Sequence, residues 1–135
     1  MNRVAAAFVV MLAAAPVVAQ DGLMTVPSGQ TILPYEALWE DHMNEGASGE
    51  TWLILRFLAP GISKHGGDIS FEVAAGDLDF ICAEIGQKLA DMTGGGVDQI
   101  IVNLLDKPLA RGQRDPEVTQ FMNAYRIGEG VCLWE

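Results

Sequence analysis

The sequence is poor in the residue types on which small enzymes commonly depend: it has only two histidines and two cysteines in 135 residues. The cysteines are far apart, whereas catalytic dithiols usually stand two residues apart at a helix start. The sequence contains no Gly-x-Ser-x-Gly nucleophile motif. The glycines at 94–96 follow a predicted helix, whereas a phosphate-binding loop precedes one. We therefore predict no catalytic residue and no cofactor.

The two histidines do not form a recognisable metal site. His42 with Asp41 and Glu45, or His65 with Asp68, would supply two or three ligands at most. Nothing at i, i+4 spacing pairs the histidines, and both lie in predicted loops. We predict solvated surface residues and no bound metal.

Basic residues are also scarce, since eight lysines and arginines stand against 18 acidic residues, a formal net charge of −10 at pH 7. Such a surface repels nucleic acid and anionic lipid, so we expect neither as a partner. Three basic residues nevertheless share one predicted loop: Lys107, Arg111 and Arg114. Arginines near helix-terminal amides can hold a carboxylate or phosphate. The alternative, which we favour, is a solubilising loop whose arginines pair with nearby acidic residues, namely Asp106, Asp115 and Glu117.

No apolar run is long enough to span a bilayer. The N-terminal run of about 15 residues falls short of the roughly 20 that a transmembrane helix needs. It follows Arg3 and ends with small residues, Val17 and Ala19, at the −3 and −1 positions of a cleavage site. We predict a signal peptide over residues 1–19, cleavage after Ala19, and a mature protein that is periplasmic or secreted. No cysteine follows the run, which excludes a lipoprotein anchor, and we expect no stable membrane insertion.

Periodicity predicts one domain over residues 31–135, preceded by a flexible arm over residues 20–30. Apolar residues at helical spacing predict a main helix ending at Met92, which starts either at an Asp77 cap or near Ser70. Asp115 followed by a proline predicts the start of a second helix, which ends near Arg126.

The strand pattern completes the predicted fold. Apolar runs predict strands over residues 51–58, 97–106 and 131–134, whereas residues 31–41 fit either a strand or a short helix. Pro34 would place such a strand at an edge, because proline cannot donate to a ladder. The predicted fold class is therefore α+β: a two-layer sandwich with a small, mainly antiparallel sheet of about four strands and two helices on one face.

The two cysteines predict a disulfide bond, as expected in an exported chain. Cys82 falls on the apolar side of the main helix. Cys132 falls in the last predicted strand, which must join the sheet beneath that helix to find partners. The alternative is a pair of buried free thiols.

Four stretches carry a family resemblance: LRFLAPGIS, DQIIVNLLDKPLARGQ, DPEVTQF and the closing CLWE. They resemble a group of small exported bacterial proteins classed as a domain of unknown function. Some of these proteins are automatically named acetolactate synthases. A thiamine-diphosphate synthase is several times longer and cytoplasmic, and this sequence has no matching cofactor motif. An amino-acid-binding regulatory subunit conflicts with the export signal, so the resemblance implies an exported protein without an assigned activity.

Two functional hypotheses follow from the sequence. The first is a non-catalytic accessory or binding domain of the bacterial envelope that acts through a protein surface, with another envelope protein as its partner. The second is a small hydrolase whose site is formed by loop residues, namely Asp41, His42, His65, Asp68 and Arg111. A concave pocket that joins those loops favours the hydrolase, and widely separated loops favour the binding domain.

Overall fold

The computed structural model describes residues 22–42, 49–128 and 131–134, and the predicted signal peptide lies outside these ranges. The described chain forms one mixed sheet of six strands, curved into a half-barrel, and one helix of 22 residues. The strands are β1 (Met24–Thr25), β2 (Thr31–His42), β3 (Glu50–Leu58), β4 (Gln99–Leu105), β5 (Gln120–Gly128) and β6 (Val131–Trp134). They lie side by side in sequence order, and only β3 and β4 run parallel.

The helix, α1 (residues 71–92), connects the two parallel strands, because a parallel pair needs a crossover. It consists of an α-helical part Phe71–Ile81, a π-helical turn Cys82–Gly86 and a second α-helical part Gln87–Met92. Its buried side packs on one face of the sheet and forms the core with alternate residues of the central strands: Leu53, Leu55, Phe57, Ile100, Val102 and Leu104. Gly86 lies so close to β4 that a Cβ atom there would stand 3.0 Å from Ile100 Cγ2.

The prediction of four strands and two helices is wrong. The residues predicted as a second helix, from Asp115 to Arg126, contain a turn and then most of strand β5. The predicted helix relied on residues four apart, such as Phe121 and Tyr125. Residues four apart lie on the same face of a strand and on nearly the same face of a helix, so this spacing does not distinguish the two. Both faces of β4 are buried, and its second edge needs a partner strand. These residues therefore pair with β4 as strand β5 and do not form a helix.

The start of α1 resolves the alternative between Ser70 and Asp77. Ser70 caps the helix, and its Oγ accepts a hydrogen bond from the Val73 amide at 3.3 Å. Asp77 lies inside the helix and is completely buried, so its predicted capping role is wrong. The chain turns away after Met92, where Gly94 adopts a positive φ of 81° that glycine tolerates best.

Residues 31–41 form a strand, which resolves the second open alternative. β2 pairs antiparallel with β3 and is interrupted by an irregularity between Pro34 and Glu36. On its other side, β2 is paired with β1 only at Thr31 and Ile32. The rest of β2 therefore has one partner strand among the described residues, as expected where a proline and a bulge occur at an edge.

The segment that precedes β2 packs on the core through a buried carboxylate. Asp77 Oδ1 accepts from the Ser28 amide at 2.8 Å. Its Oδ2 accepts from Ser28 Oγ at 2.7 Å and from Gln30 Nε2 at 2.8 Å. Val26, in the same segment, is buried, so part of the predicted arm contributes to the core.

Within the described ranges no helix combines the length and the apolar character needed to cross a membrane.

Candidate functional site

A ladder of charged and polar side chains covers the sheet face opposite α1. Paired residues of neighbouring strands point to the same face, so Glu36, Arg56 and Asn103 are aligned across β2, β3 and β4. Arg56 is buried and donates from Nε to Asn103 Oδ1 at 3.2 Å and from Nη2 to the Leu109 carbonyl at 2.7 Å. Its third partner is the carboxylate of Glu36. A buried arginine with three acceptors is a structural element of the sheet.

Glu40 is the centre of a second cluster on this face. Arg111 donates to it from Nε at 2.7 Å and from Nη2 at 3.0 Å, a bidentate pair. His42 Nε2 lies 3.1 Å from the same carboxylate. The hydrogen bonds from Arg111 are the main cause that lowers the pKa of Glu40 to about 2. Through these contacts the loop of residues 106–119 is held across the sheet.

Glu50 forms a third cluster at the start of β3. Its carboxylate accepts from Trp52 Nε1 at 3.0 Å, from Gln99 Nε2 at 2.9 Å and from Arg126 Nη2 at 2.8 Å. These hydrogen bonds, with that from Trp52 first, lower the pKa of Glu50 to about 2. The ring of His42 lies 3.9 Å from that of Trp52, centre to centre. Within each of the three clusters the charged groups are paired with hydrogen-bonding partners, and such pairing is typical of a structural face.

The structure separates the residues considered for a hydrolase site. His42 and Arg111 meet at Glu40, near the start of β3. His65 follows the other end of β3 and lies 3.2 Å from the exposed carboxylate of Glu117. Among the described residues no group of three His, Cys, Asp or Glu side chains is placed to hold a metal ion, and Glu45 lies outside the described residues. The arrangement does not join the predicted loop residues in one pocket.

The three basic residues considered for anion binding do not form one cluster. Arg111 pairs with Glu40 across 71 positions of sequence, and this partner was not among the acidic neighbours that the sequence suggested. Arg114 lines a shallow surface depression together with Asp115 and Gln120, and Lys107 is exposed. Anion binding by Lys107, Arg111 and Arg114 stays the less favoured, untested alternative.

The predicted disulfide between Cys82 and Cys132 is confirmed, and it closes a sequence separation of 50 residues. It joins the start of the π-helical turn of α1 to the short terminal strand β6. Gln87, one turn further along α1, donates from Nε2 to Cys132 Sγ at 3.4 Å.

An apolar groove lies between β2 and α1, and we call it the β2–α1 groove. It has a volume of about 240 Å³. Its lining comes from three elements: Tyr35 and Ala37 of β2, Leu55 and Phe57 of β3, and Ile85 and Leu89 of α1. Trp39, two residues after Ala37 on the same face, has 48% of its surface exposed. The only signal for this groove in the sequence was a small residue, Ala37, between larger ones.

Comparison with known proteins gives a family without an activity. No curated protein and no solved structure matches the chain. A family model described as a family of unknown function, DUF6497, matches residues 6–135. Because this match covers nearly the whole sequence, the chain belongs to the DUF6497 family of unknown function.

Proposed function

We propose that this protein is an exported, non-catalytic binding domain that holds an extended segment of another envelope protein in the β2–α1 groove. The observation that carries the proposal is the combination of an apolar groove with an exposed tryptophan beside it. Trp39 is 48% exposed and lies on the same face of β2 as Ala37, which lines the groove. Large apolar residues grouped around a concavity are typical of interaction surfaces.

The size of the groove favours a protein side chain over a free small molecule. Sites for small molecules usually enclose roughly 300–1,000 Å³, and the groove has about 240 Å³. One apolar side chain of a partner fits this space. Tyr35 in the wall and Trp39 beside it supply the aromatic surface that dominates many protein interfaces.

The bordering strand also offers backbone groups. From Leu33 to Glu40, the outer edge of β2 has no partner strand within the described ranges. Pro34 and the adjacent irregularity interrupt pairing at one end. Residues 37–40 remain as a regular edge to which an extended segment can add as a further strand.

Charge indicates the composition of the partner segment. The chain carries a formal net charge of −10 at pH 7. A segment with an apolar anchor and flanking basic residues is therefore attracted and oriented. The predicted signal peptide supports an address in the periplasm or outside the cell.

Site-specific photo-crosslinking in the native envelope tests the proposal. We expect a photoreactive phenylalanine in place of Tyr35, which lines the groove, to crosslink one partner through an extended segment with basic residues. The same probe at position 133, whose leucine is 49% exposed on β6, is the matched control and should give no such product. Trp39→Ala should abolish the crosslink, whereas Leu133→Ala should leave it unchanged.

Equal crosslinking from positions 35 and 133, or crosslinking of position 35 only to a second copy of this chain, contradicts the proposal. The export part has its own test, because intact mass of the protein from a bacterial envelope should correspond to a chain that starts at Gln20. Retention of residues 1–19 contradicts it.

A further inference from the structure

A second concave site lies where the chain end meets α1, and we call it the chain-end pocket. It encloses about 320 Å³ and is lined by Asp79, Ala83 and Gln87 of α1, Tyr125 of β5, and Cys132 and Trp134 of β6. It is distinct from the β2–α1 groove, because the two share no residue. Its volume falls at the lower end of the range for small-ligand sites, roughly 300–1,000 Å³.

Among the described residues that line the pocket, Asp79 alone is charged. Its Oδ1 accepts from the Tyr125 hydroxyl at 2.6 Å and from Trp134 Nε1 at 2.8 Å. Its Oδ2 receives no hydrogen bond from the described part of the chain, and no lysine or arginine described there forms an ion pair with it. The carboxylate of this exposed residue is thus held in a fixed orientation by two donors.

The two groups that donate to Asp79, a phenol and an indole, are aromatic and uncharged. Burial, and then the hydrogen bond to Asp79, raise the pKa of the Tyr125 hydroxyl, so the phenol remains a donor at neutral pH. Trp134 is 60% exposed and presents part of its indole ring to the pocket. Indole and phenol rings attract cations through their electron-rich faces.

A second acceptor, the Gln87 amide oxygen, lies directly after the π-helical turn. This turn, Cys82–Gly86, contributes the small residue Ala83 to the wall and is followed directly by Gln87. Gln87 uses its Nε2 to donate to Cys132 Sγ, which leaves the amide oxygen as an acceptor. Single π-helical turns within α-helices are frequent at functional sites.

We propose that the chain-end pocket binds the ammonium group of a primary alkylamine, held by Asp79 Oδ2 and the Gln87 amide oxygen and covered by Trp134. The two oxygens match the N–H donors of a primary ammonium, and the ring attracts its charge. A quaternary ammonium shares the charge but offers no N–H group, so the site prefers the primary amine.

Titration of ¹⁵N-labelled protein with n-butylammonium chloride tests the proposal. The three tryptophan indole N–H signals are separate probes, and Trp39→Phe and Trp134→Phe assign them. We expect a saturable shift of the Trp134 signal, with unchanged signals from Trp39 and Trp52. Neutral n-butanol should give no shift, tetramethylammonium should bind several-fold more weakly, and sodium chloride controls for ionic strength.

Asp79→Asn is the deciding variant, because asparagine keeps an oxygen that accepts from Tyr125 and Trp134 while it removes the charge. We expect it to weaken n-butylammonium binding by about tenfold or more. Gln87→Ala should weaken binding by about threefold and decides the question if Asp79→Asn does not fold. Unchanged binding in the deciding variant, equal shifts of all three indoles, or equal affinity for tetramethylammonium overturns the proposal.

Discussion

The contact between Asp77 and the segment before β2 allows a specific stability prediction. Asp77 is completely buried, and its carboxylate accepts three hydrogen bonds from Ser28 and Gln30. Asp77→Ala removes all three acceptor contacts at once. The Gln30 amide group, on a residue only 9% exposed, is then left without this acceptor, whereas Ser28 is partly exposed and can turn to water. Each unsatisfied buried donor costs about 1–3 kcal/mol.

The loss should therefore be about 3 kcal/mol in the free energy of unfolding, since removal of the buried charge offsets part of the cost. For a domain of this size it corresponds to a decrease in Tm of about 10 °C. Asp91→Ala, an exposed carboxylate of the same helix, is the matched control and should change stability by no more than about 0.5 kcal/mol.

Urea unfolding followed by far-UV circular dichroism measures both variants. A double-mutant cycle of Asp77→Ala with Ser28→Ala should give a coupling free energy above about 1 kcal/mol, because the two residues are in direct contact. If Asp77→Ala loses less than about 1 kcal/mol, or if the cycle gives no coupling, the carboxylate does not hold the segment as described.

Three further predictions concern the disulfide and the ladder of charges. Reduction of Cys82–Cys132 should lower the free energy of unfolding by about 4 kcal/mol, from loop-closure entropy, whereas a reduced protein of unchanged Tm contradicts this. Arg111→Ala should lower the free energy of unfolding by about 1 kcal/mol or more, because the half-buried Glu40 loses a bidentate partner. A change of no more than about 0.5 kcal/mol, as for an exposed loop arginine, contradicts this. The pKa values of Glu40 and Glu50 are both lowered to about 2 in the folded protein. Their stabilisation is therefore complete above the ordinary glutamate pKa of about 4.3 and should be lost as the pH falls toward 2. Urea midpoints that stay constant between pH 5 and pH 2 would contradict it.

The sequence predicted the central elements because their signals are local. The run of apolar residues in β3 and β4 marks strands buried on both faces, and the structure places both at the centre of the sheet. The pairing of Cys82 with Cys132 was accessible because the sequence has only two cysteines, and an exported chain favours their oxidation. These predictions needed no knowledge of which strands are neighbours.

The errors arose where distant residues decide the outcome. The residues of β5 fit both a helix and a strand when taken alone, and only the unpaired edge of β4 makes the strand preferable. Asp77 has the chemistry of a helix cap, but its partners, Ser28 and Gln30, lie 49 and 47 positions away. Arg111 was likewise assigned to acidic neighbours in its own loop, while its carboxylate partner, Glu40, belongs to β2.

The β2–α1 groove was inaccessible from sequence for a further reason, because it is a space and no residue pattern encodes it directly. Ala37 lies opposite Leu55 in the β2–β3 register, and its small side chain leaves room that Ile85 and Leu89 of α1 do not fill. A larger residue at position 37 would extend the core and cover these apolar side chains. Because Ala37 is itself exposed, Ala37→Leu should fill the groove with little effect on folding, and it should also prevent the crosslink expected from a partner segment. Loss of the crosslink in a stably folded Ala37→Leu protein would identify the empty volume, rather than the strand edge alone, as the feature that the partner recognises.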